Sequence, residues 1–192
     1  MKKAFIISAI CALVLCSCSK SSDEESNNSF GRAEIHFELA GPDYQGVPSD
    51  DVLEYFSFTV TGKDFEGNTV SKEIDANNPE AVIVCKKAPT ADKSLFADLG
   101  LDVIEKKTVQ DGDYSMQYSL HVHYVIYDKN DNEISTGFVT RTSCSHTPAS
   151  AQEFKRELSG NSFNGTFELC YVKMFFSEEW NYNIAYKKGH QD

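Results

Sequence analysis

The stretch "DYSMQYSLHVHYVIYD", Asp113 to Asp128, decides the fold. Met116, Tyr118, Leu120, Val122, Tyr124 and Ile126 fall on one side of a period-two repeat, and His121 and His123 fall on the other. Successive side chains of a strand point to opposite faces, so this pattern predicts a half-buried strand. The polar run "DKNDNE" follows and turns the chain, and "ISTGFVTRTSC" pairs back.

The same period recurs on both sides of this hairpin. In "RAEIHFEL", Ala33, Ile35, Phe37 and Leu39 share a face, with Glu34, His36 and Glu38 opposite. In "LEYFSFTVTG", Phe56, Phe58 and Val60 share a face, "KDFEGNT" turns, and "VSKEID" returns. "AVIVCKK" is a continuous apolar run, expected as a central strand. Asp92 to Leu99 is expected as a short helix ending at Gly100, and "LDVIEKKTV" as the strand after it. "TPASAQEFKRELSG" is expected as the main helix, with Thr147 as cap, Pro148 in first position and Ala151, Phe154 and Leu158 as its apolar stripe. "GTFELCYVKMFF" and "YNIAYK" close the chain as two strands. The expected fold is all-β: an antiparallel β-sandwich of about eight strands, with one or two short helices in connections. A small barrel is the alternative.

Met1, Lys2 and Lys3 precede an apolar run from Ala4 to Leu15, too short to span a bilayer as a helix. The pattern predicts an export signal over residues 1–17. Leu15-Cys16-Ser17-Cys18 resembles the lipobox of bacterial lipoproteins, with the aliphatic residue three before Cys18 and a small residue just before it. The departure is Cys16 in the middle position. The following "SKSSDEE" resembles the acidic export signal of Bacteroidetes-type surface lipoproteins. These resemblances imply that Cys18 is acylated and that the chain is held on the outer membrane facing the exterior. Residues 18–29 lack apolar periodicity and are expected as a flexible acidic tether, and the length that remains suits a single domain, 30–192. The implied partner is the membrane, through the lipid anchor.

Of 192 residues, 192 − 17 = 175 would remain, and loss of Lys2 and Lys3 shifts the net charge from −11 to −13. No Lys/Arg-rich block occurs, so nucleic-acid binding is not expected. Cys85, Cys144 and Cys170 remain beyond the lipobox. Export permits disulfides, and Cys144–Cys170 is the expected pair.

The candidate sites are few. His121 and His123 sit two apart on a strand, so both side chains leave one face and can share a metal ion. His36 is the candidate third ligand if its strand lies alongside. The simpler alternative is a polar outer face, where such residues belong. "DKNDNE" places oxygen ligands at alternate positions but lacks the glycine and distal glutamate of a calcium loop, so a turn is the better reading. Trp180, Tyr182 and Tyr186 lie near Glu178-Glu179 and offer stacking faces for a glycan, or simply core. No G-x-S-x-G, glycine-rich phosphate loop or H-E-x-x-H is present. The expected function is a non-enzymatic binding domain without cofactor, recognising a glycan or an extracellular protein. The alternatives are a metal-dependent hydrolase using His121 and His123, and an adhesin or pilus-like component built by strand exchange.

Overall fold

The computed structural model describes residues 29–41, 50–108, 118–144, 150–160, 163–173 and 179–189. Among these residues, nine strands and two short helices follow the order β1 (Phe30–Ala40), α1 (Asp50–Tyr55), β2 (Phe56–Lys63), β3 (Thr69–Ile74), β4 (Glu80–Cys85), β5 (Leu95–Glu105), β6 (Tyr118–Asp128), β7 (Glu133–Cys144), α2 (Ala151–Gly160), β8 (Phe163–Lys173) and β9 (Trp180–Lys188). They form two antiparallel sheets, one ordered β4-β1-β6-β7 and the other β3-β2-β5-β8-β9. This is the all-β sandwich that the alternation implies. The lipobox with Cys18, most of the tether, Met116, Thr147, Pro148 and Glu178 lie outside the described residues.

The core is what the period-two faces become once the sheets are stacked. Ile35, Phe37 and Leu39 of β1 and Leu120 and Val122 of β6 meet Phe58 and Val60 of β2, Leu99 and Leu101 of β5, and Phe167 and Leu169 of β8. Phe37 packs edge-on against Phe163 at a ring separation of 5.7 Å. Each such side chain contributes about 1.5–3 kcal/mol by leaving water.

Two turns use one design. Asp64 and Asp128 each close a five-residue loop with the side chain accepting from backbone N–H groups two and four residues on. Asp64 Oδ1 accepts from Glu66 at 2.9 Å and Asn68 at 2.8 Å. Asp128 Oδ1 accepts from Asn130 at 2.7 Å and Asn132 at 2.9 Å. The fourth loop residue needs positive φ, supplied by Gly67 (83°) and by Asp131 (62°). Both Asp128 oxygens are engaged, since Oδ2 also accepts from Asn132 Nδ2 at 2.9 Å. "DKNDNE" is therefore a hairpin turn.

Several expectations are corrected. Asp92–Leu99 is not a helix: Thr90 to Lys93 make a tight turn, and β5 starts at Leu95. Leu95, Ala97, Leu99 and Leu101 all face the core at period two, which a helix could not arrange. β4 is an edge strand rather than a central one, with Val84 largely exposed. Ser150 stands at the N-cap of the described helix α2, its Oγ accepting from the Glu153 N–H at 3.1 Å. Phe154 and Leu158 are buried, and Phe154 packs against Phe56 and Tyr118 at the end of the sandwich. The helix α1 was not expected from the sequence.

The two sheets touch along their flanks, β3 against β4 and β9 against β6 and β7. Lys72 Nζ on β3 donates to the Val82 carbonyl on β4 at 2.6 Å. Tyr124 on β6 crosses Gly137 on β7 and its hydroxyl donates to Asn183 Oδ1 on β9 at 2.7 Å. No side chain other than hydrogen leaves room there: a Cβ on Gly137 would sit 2.8 Å from the Tyr124 ring.

Candidate functional site: a histidine–glutamate cluster on the four-stranded sheet

β1 lies between β4 and β6, so its outward residues meet those of both neighbours. His36 stands opposite His123, and Glu38 opposite His121. Glu38 also stands opposite Glu80 at the start of β4. The strand neighbourhood required for His36 to join the histidine pair is therefore present. The His36 and His123 rings stack at 4.6 Å, and those of His121 and His123 at 5.4 Å.

A bulge in β7 completes the cluster. Val122 pairs with Thr140, but His123 pairs with Phe138, so one residue is skipped. A one-residue shift exchanges the faces of a strand. Val139 packs toward the core, and Phe138 turns outward over the histidines, 6.2 Å from the His121 ring and 6.0 Å from that of His123. Phe138 is 71% exposed while His121 beneath it is only 8% exposed.

Carboxylates orient the rings. His36 Nδ1 lies 2.5 Å from Glu80 Oε1, and Nε2 lies 3.2 Å from Glu34 Oε2. Arg32 Nε donates to the other Glu34 oxygen at 2.6 Å, and its guanidinium sits 4.0 Å above the Tyr127 ring. This pairing with Glu34 raises the Arg32 pKa. Glu38 Oε2 lies 2.9 Å from His121 Nε2.

Burial pushes the His121 pKa down, opposed by Glu38 and reinforced by Arg141. Burial also pushes His123 down, reinforced by His36 and His121 and opposed by Glu80. Both rings are therefore held toward the neutral form that ligates metals. His123 Nδ1 is buried and finds no hydrogen-bond partner among the described residues. Two groups bring their ligand atoms within 4.8 Å of one another: His36, Glu80 and His123, and Glu38, His121 and His123. His123 belongs to both.

The aromatic candidates divide. Tyr171, Trp180 and Tyr182 form a continuous stack on β8 and β9, with rings 5.3 Å and 4.6 Å apart, and Trp180 is 42% exposed. Tyr182 leans on Phe30 at 5.1 Å, and burial raises its pKa. Tyr186 is not part of this ledge. Its ring stacks on Phe163 at 5.0 Å and its hydroxyl donates to the Asn164 carbonyl at 3.1 Å.

Cys85 and Cys170 are free thiols, so the expected Cys144–Cys170 bond is not formed in this structure. Cys144 ends β7 in one sheet, while Cys170 lies on β8 in the other, its Sγ directed to the Asn183 carbonyl at 3.5 Å. Burial raises the pKa of both free thiols, which favours their protonated form.

Sequence reasoning found His36, His121 and His123. It missed Glu38, Glu80 and Phe138 as members of the site. The alternation in "RAEIHFEL" carried the signal for Glu38, whereas nothing in the sequence marks the bulge that turns Phe138 outward. Comparison of the chain with protein-family models, curated proteins and solved structures finds no match. No described helix is long and apolar enough to cross a membrane.

Proposed function

We propose that this chain is a lipid-anchored binding protein of the bacterial outer surface, acylated at Cys18 and carrying its ligand site on the outer face of the four-stranded sheet. The observation that supports the site is the convergence of three histidines and three glutamates from β1, β4 and β6, with Phe138 lying over His121 and His123. An outer sheet face normally carries solvated, independent side chains. Here the polar groups are ordered and partly buried, an arrangement that costs stability and is characteristic of a site.

Two measurements test this reading on whole cells. Protease added to intact cells digests the folded part if the chain faces outward, and Cys18→Ala releases it from the membrane fraction. Protection until the outer membrane is broken refutes surface display, and membrane retention of Cys18→Ala refutes the anchor.

A second ligand class is favoured by the ledge of Tyr171, Trp180 and Tyr182, whose stacked faces suit a sugar ring. Glycan-array binding that disappears in Trp180→Ala supports this reading; absence of glycan binding by the unaltered chain removes it.

A further inference from the structure

We infer that His36, His123 and Glu80 bind one divalent transition-metal ion of the zinc class. The inference rests on the reading that this sheet face is the ligand site, and it names the ligand chemistry.

Four features point to a metal rather than to a solvated polar face. The donor set is two imidazoles and a carboxylate, which suits zinc and its neighbours in the first transition row. The donor atoms lie within 4.8 Å of one another. Donors around a tetrahedral ion with bonds of roughly 2 Å stand about 3.3 Å apart, so the change needed is small. The Glu80 side chain is 38% exposed and free to move outward to admit the ion. The rings that must move least are fixed by the stack between them.

The third feature is the support behind His36. A metal-bound histidine usually presents its second nitrogen to a carboxylate, which fixes the ring and raises its basicity. His36 directs Nδ1 toward Glu80 and Nε2 toward Glu34, and Glu34 is itself held by Arg32. The line Arg32, Glu34, His36 is thus a metal-ligand support already assembled. The fourth feature is His123 Nδ1, a buried polar atom with no hydrogen-bond partner among the described residues. Such atoms are rare because their desolvation is not repaid. His121 and Glu38 stand beyond His123 as a neighbouring pair, and they set the field around the ion rather than completing its seat.

The test uses the full chain in detergent, stripped of metal by a chelator. Zinc is titrated against a chromophoric chelator at pH 7.5, and cobalt(II) is added separately for its visible spectrum. One equivalent of zinc is expected, with an intense cobalt band of four-coordinate type. His123→Gln and His36→Gln are each expected to weaken zinc at least 100-fold, and Glu80→Gln at least tenfold. Glu34→Gln touches no metal in this arrangement and is expected to weaken it about 10–100-fold through His36. Circular dichroism melts of the metal-free variants establish that they are folded, and Glu80→Gln, at an exposed position, is the variant least able to disturb the fold.

Failure to take up stoichiometric zinc or cobalt overturns the inference. So does binding that survives both His36→Gln and Glu80→Gln, which would place the ion elsewhere. Surface display is read by protease on cells and does not depend on metal. A surface-exposed chain that takes no metal therefore refutes this inference and leaves the anchoring intact.

Discussion

Gly137→Ala is expected to destabilise the fold by about 2–4 kcal/mol, although it adds a single methyl group. The Cβ would sit 2.8 Å from the Tyr124 ring, closer than side chains approach, so the ring must move. It cannot move freely, because its hydroxyl is tied to Asn183 of the other sheet at 2.7 Å. Overpacking of this kind costs about 1–3 kcal/mol. Loss of the cross-sheet hydrogen bond adds about 1 kcal/mol. Urea unfolding measures the sum, with fluorescence of Trp180, the only tryptophan in the chain, as one probe and far-ultraviolet circular dichroism as the other. Tyr124→Phe removes only the hydroxyl and should cost about 1 kcal/mol. In the double variant the hydrogen bond is already gone, so the two effects should sum to about 1 kcal/mol less than additivity. A Gly137→Ala variant within 0.5 kcal/mol of the parent, or strict additivity with Tyr124→Phe, would refute the reasoning.

Three further outcomes follow from the packing and the charges. Phe154→Ala should cost about 3–5 kcal/mol in the same assay, because the ring is wholly buried between Phe56 and Tyr118; a loss below 1 kcal/mol would mean that α2 does not close the sandwich end. Gly67→Ala should cost about 1–2 kcal/mol purely from its φ of 83°, since open space surrounds the site, and an unchanged urea midpoint would contradict this. Finally, His121 and His123 titrate below their ordinary value of 6.5, so the folded state takes up fewer protons than the unfolded chain as pH falls through that value. Metal-free protein should keep full stability above pH 6.5 and lose it progressively below, well before the carboxylates Asp64 and Asp128, themselves held below 3.8, respond. His36, Glu34, Glu38, Glu80 and Arg141 share that field. A melting temperature flat from pH 7 to 5, or an unchanged acid response in the His121→Asn, His123→Asn double variant, would show that other groups govern it.

The class of fold is legible in the chain alone, because period-two alternation is a local property. Each strand carries its own apolar face, and "YSLHVHYVIYD" or "RAEIHFEL" needs no partner to show it. The same alternation put His36, His121 and His123 on polar faces before any sheet was assembled. The turns were legible too, since an aspartate that binds its own backbone acts within five residues. Where several local signals competed, the reading failed. Asp92 and Gly100 resemble helix ends, but the inward series Leu95, Ala97, Leu99 and Leu101 had a sheet to join, and burial outweighed capping. The run "AVIVCKK" is apolar enough for a central strand, yet apolarity does not fix a place in the sheet order.

That β1 lies between β4 and β6, and with it that His36 meets His123 and Glu80, is a product of the assembled sheets. Strand order depends on which faces can be buried together over the whole chain, so it cannot be read from any one segment. The bulge that brings Phe138 over the histidines, and the glycine that lets Tyr124 reach Asn183, are of the same kind. They place residues far apart in sequence within a few ångströms, and the candidate site exists only through those long-range pairings.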